Sequence, residues 1–190
     1  KKMALDQRLI NPLLPDDPNS KVNTCIKNVF SIWDKYKDKK SAQLIFCDMS
    51  TPSSDFNIYD DIKTKLIDMG VPENEIEFIH KAKNNMEKDA IFDKVRKGEI
   101  RVLLGSTQKM GAGTNAQDKL IAIHDLDIPW RPADLSQRAG RIVRQGNENK
   151  EVHIFRYVTE NTFDAYLFQT LENKQKYISQ IISANPRTVS

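Results

Sequence analysis

The 190 residues carry 29 Lys and Arg against 26 Asp and Glu, a net charge of +3, with 39% hydrophobic content. That is apolar enough to bury a full core but too evenly charged to grip a polyanion over the whole surface, so any contact with nucleic acid has to be local. No signal peptide or membrane-length apolar run is present, and two cysteines, Cys25 in a helical pattern and Cys47 in a strand pattern, read as buried free thiols of a reducing, cytoplasmic compartment rather than as a disulfide or metal framework.

In chain order, residues 1–20 are polar and interrupted by Pro12, Pro15 and Pro18, which predicts a short helix over Met3–Ile10 and then an irregular lead-in from a preceding domain. The start at Lys1 rather than Met predicts a piece of a longer protein. Val22, Cys25, Ile26, Val29, Phe30 and Trp33 recur at helical spacing behind Ser20, a cap, giving a helix over about 21–38. Gln43–Asp48 reads as a buried strand, 51–57 as a loop, and the next helix ends at Gly70. Glu75–His80 is a strand, Met86–Lys97 a helix closed by Gly98, Ile100–Gly105 an apolar strand and Lys119–Asp125 another. A helix over 133–145, a strand over Val152–Thr159 and a long amphipathic helix over Phe163–Ile182 complete the chain. Strands alternating with helices predict an α/β fold, a parallel sheet with helices on both faces. The domain limits expected are 1–20 for the lead-in, 21–160 for the sheet domain and 161–190 for a C-terminal helical extension.

In such sheets ligands bind beyond the carboxyl ends of the strands. The residues found there are Asp48, Ser50 and Thr51, then Gly105-Ser106-Thr107-Gln108-Lys109-Met110-Gly111-Ala112-Gly113-Thr114-Asn115, then Leu126-Asp127-Ile128-Pro129-Trp130. Gly111 and Gly113 permit close backbone approach by an anion, and Ser106, Thr107 and Thr114 offer hydroxyl donors, although such turns are common in α/β domains. The most informative run is Gln137–Gly146. On a helix advancing about 100° per residue, Gln137, Arg141 and Arg144 fall within roughly 60° of one another, opposite Leu135, Ala139, Ile142 and Val143. Such a face is either a solvated basic stripe or a pair of guanidinium forks aimed at a phosphate. Arg138, toward one edge, could equally pair with Asp134. His80, His124 and His153 lack metal-ligand spacing and carry no catalytic expectation, and Trp130 either stacks on a base or braces its loop.

These segments, in this order, resemble the C-terminal, second RecA-like domain of superfamily-two helicases, and among them the Snf-type translocases: Leu44-Ile45-Phe46-Cys47 looks like motif IV, Gly105–Asn115 like motif V and Gln137–Gly146 like motif VI. Val158–Asp164, followed by a long helix, is similar to the Snf-type tail, and Trp130-Arg131-Pro132-Ala133-Asp134 resembles large bacterial, phage and conjugative-element proteins joining helicase and DNA methylase modules. The resemblance implies a split site. The first RecA-like domain would bring the bulk of the binding for ATP with Mg2+, because this chain has no G-x-x-x-x-G-K-[ST] loop. Arg141 and Arg144 would be arginine fingers, with Gln137, Gly113 and Gly140 lining the nucleotide side. Ser106, Thr107, Lys109, Thr114 and Asn115 would meet the backbone of double-stranded DNA, and no membrane is implied. The rival expectation is a RecA-like interaction module without catalysis.

Overall fold

The computed structural model describes residues 2–110 and 115–184, with side chains up to 177. Five strands, β1 (Ala42–Phe46), β2 (Ile76–Phe78), β3 (Val102–Gly105), β4 (Leu120–Asp125) and β5 (His153–Arg156), form one sheet in the order β2-β3-β1-β4-β5. Every pairing is parallel. The helices are α1 (Lys2–Leu5), α2 (Lys21–Lys35), α3 (Ile58–Met69), α4 (Asn85–Arg96), α5 (Thr107–Met110), α6 (Pro132–Ala139) and α7 (Phe163–Ala184).

Successive side chains of a strand point to opposite faces, so a strand covered on both sides must be apolar throughout. β1 is apolar at every position but Gln43. Ile45 and Cys47 join Val22, Cys25, Val29, Ile58, Ile62 and Leu66 beneath α2 and α3, whereas Leu44 and Phe46 join Phe92, Val95, Leu103 and Ile123 on the α4 face. Each such side chain contributes about 1.5–3 kcal/mol of apolar transfer. Helix ends follow their caps. Ser20 Oγ accepts from Asn23 N as its sequence position predicts, and Asn57 and Asn84 do the same for α3 and α4. Gly70 closes α3 at φ 114°, a left-handed conformation that favours glycine.

The lead-in is packed on the sheet domain. Leu5 is buried in the α2/α3 core, and the Arg8 guanidinium bridges Asp6 to Asp61 of α3 with contacts of 2.7–3.1 Å. At the other end, α7 docks through Leu167 and Leu171 against Ile128 and Leu135 of the α6 region. Lys21 Nζ reaches Asp164 Oδ2 at 2.7 Å, a buried ion pair tying the start of α7 to the start of α2.

Several elements are shorter than the sequence predicts, α1 and β5 among them, and two of the differences bear on the site. β2 ends at Phe78, and Ile79–Lys81 turns as a 3-10 helix, which leaves His80 at the mouth of the strand. The helix expected over 133–145 stops at Ala139. Beyond Gly140 the regular ladder breaks up: Arg141 N reaches only to Arg138 O and Arg144 N only to Ile142 O, although Val143 N still meets Ala139 O, and Asn147 Nδ2 takes the Ile142 carbonyl that a longer helix would have used. The pull is tertiary. Ile142 sits in the α4-side core while Val143, expected beside it on the docking face, is 64% exposed.

Candidate nucleotide and nucleic-acid faces at the carboxyl edge of the sheet

The carboxyl ends of β1, β3 and β4 converge on one side chain. Arg138 is fully buried at 0% exposure, and its donors are engaged by residues at or just past the ends of those strands. Its Nε donates to Thr107 Oγ1 at 2.8 Å, Nη1 to the Asp127 carbonyl at 2.8 Å and Asp125 Oδ1 at 3.3 Å, and Nη2 to Asp48 Oδ2 and Asp127 Oδ1 at 3.0 Å each. The guanidinium lies over the Phe46 ring, 5.2 Å from its centroid. Burial works against the charge, but Asp127, Asp125 and Asp48 outweigh it and hold the pKa above its ordinary value. Asp125 is pushed up by its own burial and drawn back by Arg138 and by Arg156, whose Nε is 3.5 Å from Asp125 Oδ2. The structural role weighed for Arg138 holds, with a different partner, since Asp134 pairs with Arg131 at 3.2 Å.

The hub fixes the strand-end loops. Asp127 Oδ2 accepts from the amides of Asp48 and Met49 at 2.6 and 2.7 Å, while Asp48 accepts from Thr107 N at 2.6 Å and Thr107 Oγ1 at 2.8 Å. The single hydroxyl hydrogen of Thr107 is therefore committed to Asp48. Gly105 permits this crowding, since a Cβ there would lie 2.6 Å from both Ile79 Cγ2 and Met110 Cε. Ser106 Oγ accepts from Lys109 N at 3.1 Å and keeps its own hydrogen.

Beside the hub opens a cleft of about 800 Å3 lined by Asp48, Thr51, His80, Ser106, Thr107, Gln108, Lys109, Arg131, Asp134 and Gln137. Three of the expected nucleic-acid residues, Ser106, Thr107 and Lys109, share this wall with Gln137. Gln137 does not share a helical face with Arg141 and Arg144, because α6 ends before them. Those two arginines lie on the turns that follow, Arg141 buried at 6% exposure and Arg144 exposed. Arg144 Nη1 donates to Asn115 Oδ1 at 3.1 Å, and Arg96 of α4 donates to the Asn115 carbonyl, so an expected finger and an expected nucleic-acid residue touch each other. Cations gather here. Burial and then Arg144 lower the Arg141 pKa, and burial followed by Arg141 lowers that of Lys88 on α4. Gly113 and Thr114 lie outside the described residues, and Gly140 caps α6.

The three acidic hub residues were the part that sequence patterning missed as a unit, although each stands at or just past the end of a predicted strand. Among the described residues no group of three or more His, Cys, Asp or Glu could hold a metal ion, and no helix is long and apolar enough to cross a membrane. His124 is buried on β4, with Nε2 2.8 Å from Gln43 Oε1 and Nδ1 2.9 Å from the Tyr157 hydroxyl, which also accepts from Asn28. Burial pushes its imidazole down to about 3.

Residues 20–146, more than half of the chain, match the family model described as the helicase conserved C-terminal domain. A protein of Bacillus subtilis (strain 168) described as the uncharacterized ATP-dependent helicase YqhH is 35% identical over 96 residues, 50% of this chain and 16% of its own length. The Escherichia phage P1 protein named defense against restriction protein B is 35% identical over 78 residues, 41% of this chain and 4% of that protein. The chain thus spans a small fraction of these curated relatives. Among solved structures, the C-terminal part of the Fun30 ATPase domain superposes with a TM-score of 0.61 at 21% identity, covering 88% of this chain and 51% of that one. The helicase MrfA bound to DNA gives 0.52 at 16% identity, covering 78% and 20%. The fold is RecA-like.

Proposed function

Because the chain belongs to the helicase conserved C-terminal domain family, we propose that it is the second motor domain of an ATP-dependent, Snf-type translocase acting on double-stranded DNA, and that it completes an ATPase site shared with a first RecA-like domain. The observation that carries this reading is the gathering of Arg141, Arg144 and Lys88, where burial and then Arg144 lower the pKa of Arg141, burial and then Arg141 lower that of Lys88, and an incoming polyphosphate would relieve the repulsion. Arg144, exposed and held by one neutral amide oxygen, is the guanidinium best placed to exchange its partner for a phosphoryl oxygen. Arg141 would supply the second fork, and Gln137 and Gly140 would border the same side. ATP with Mg2+ would supply the phosphoryl group, and the strand-end carboxylates Asp48, Asp125 and Asp127 are already paired with Arg138, so the metal ligands would come from the first domain. Ser106 and Lys109 would take the DNA backbone from the cleft, while Thr107 would act through Asp48 and Arg138. A DNA methylase module in the same polypeptide is also part of the proposal, resting on the resemblance of Trp130-Arg131-Pro132-Ala133-Asp134 to helicase–methylase proteins.

The test is turnover of the full-length polypeptide carrying Arg144→Ala or Arg141→Ala. A loss of about 10³-fold or more with ATP binding largely kept is expected when an arginine stabilises transition-state charge across a cleft. Unchanged turnover in the folded double variant would sink the reading.

A further inference from the structure

His80 stands apart from the machinery assigned above. It lies in the turn just past β2, lines the cleft beside Ser106 and Lys109, and packs its ring edge-on against Tyr59 at 5.3 Å and 83°. Tyr59 is itself fixed: it is fully buried and its hydroxyl donates to the Cys47 carbonyl at 2.6 Å. The imidazole is thus braced by a rigid partner, yet its Nδ1 is buried with no hydrogen-bond partner among the described residues. A proton placed on Nδ1 would strand a buried donor, whereas a proton on Nε2 leaves only a lone pair inside and puts the donor on the partly exposed edge of the ring. The charged groups facing the ring are Lys109 of α5 and Asp48 after β1. Burial first, and then Lys109, lower the His80 pKa against the opposing pull of Asp48, so the ring stays neutral at neutral pH.

Resting on the reading that this cleft takes the DNA backbone, we propose that His80 is a phosphodiester contact, donating from Nε2–H to a non-bridging oxygen beside the Ser106 hydroxyl and the Lys109 ammonium. Asp48 and Asp134 line the same cleft, and their charges are offset, Asp48 by its bonds to Thr107 N, Thr107 Oγ1 and Arg138 Nη2 and Asp134 by Arg131.

A neutral donor and a cation on the same phosphate leave different thermodynamic marks. A cation releases condensed counterions and steepens the salt dependence, and a neutral donor adds affinity at every salt concentration alike. The experiment is fluorescence anisotropy of this chain with a labelled duplex across a salt series, for wild type, His80→Ala, His80→Gln and Lys109→Ala, with circular dichroism melts alongside. His80→Ala should weaken binding by about tenfold or more at all salt concentrations with an unchanged slope, as for a lost hydrogen bond from a neutral donor to a charged group. His80→Gln, which keeps an N–H donor, should recover part of the loss. Lys109→Ala should flatten the slope by about one unit. If Lys109→Ala weakens binding and His80→Ala does not, the His80 contact is overturned and the cleft reading stands; if neither weakens it, the cleft reading falls as well. Should His80→Ala lose its fold, nitrogen-detected NMR of the wild-type ring decides: DNA must shift the His80 Nε2 resonance, and an unmoved resonance overturns the contact.

Discussion

Replacing Arg138 by alanine should destabilise the domain rather than merely silence it. The substitution leaves Asp125 and Asp127 buried with no counter-ion except the half-exposed Arg156, and strips the Asp48 carboxylate of its guanidinium. Removing one partner of a buried ion pair costs about 3–5 kcal/mol, since the orphaned charge keeps its desolvation penalty. For a domain of this size that corresponds to a fall in Tm of about 6–20 °C. The sign with pH is also set. Asp125 already has a raised pKa in the fold, and without Arg138 its charged form loses its main support, so protonation would rescue the variant. The destabilisation should therefore be largest at neutral pH and shrink as acid protonates the carboxylates. Thermal and urea melts of wild type, Arg138→Ala and Arg138→Lys across pH measure this, and the lysine variant should fall between the others because an ammonium keeps the charge but not the fork. An Arg138→Ala protein that melts like wild type and only loses ATP turnover would refute the hub and make Arg138 a nucleotide ligand.

His124 gives a second pH signature. Its folded pKa, about 3, lies below the usual value of about 6.5, so the stability it contributes is complete above 6.5 and is lost as the pH falls from there toward 3. The slope should approach about 1.4 kcal/mol per pH unit, and His124→Gln should flatten it in urea melts. The chain on its own should show no appreciable ATP turnover with or without DNA; turnover that survives repurification and disappears with Arg144→Ala would contradict the shared site. Lys21→Met should leave Asp164 buried without its cation and loosen the start of α7, read as faster proteolysis there with the sheet domain intact.

Strand identity was legible because a parallel strand buried on both faces is apolar almost throughout, as Ala42–Phe46 is at every position but Gln43. Helix starts were legible for the same local reason, a capping side chain three residues ahead of an amide, as at Ser20. The end of α6 was not. Leu135 and Ile142 have helical spacing in sequence, but they enter two different cores, and Asn147 takes the carbonyl that the longer helix would need. Arg138 was ambiguous because its helix offers only Asp134 nearby, whereas its actual partners sit at 48, 107, 125 and 127 and become neighbours only through the sheet. His80 carries no signal in its own segment either. Its orphaned nitrogen emerges only once β2 is cut short at Phe78 and Tyr59 of α3 closes over the ring.

The order β2-β3-β1-β4-β5 also has a consequence for how the protein is made. β1, at the centre of the sheet, is the first strand to leave the ribosome, yet Gln43 waits for Val102 and Ala42 for Leu120 before either edge is paired. Through that interval five consecutive residues destined for the interior have only α2 and, later, α3 to lean on. Pairings that remote in sequence form slowly, and an apolar strand with open edges is a template for association with other nascent chains. Synthesis at high rate or high temperature should therefore drive the chain into inclusion bodies, and a holdase chaperone that shields β1 until β3 and β4 emerge should raise the soluble yield more than any stabilising change to the finished fold.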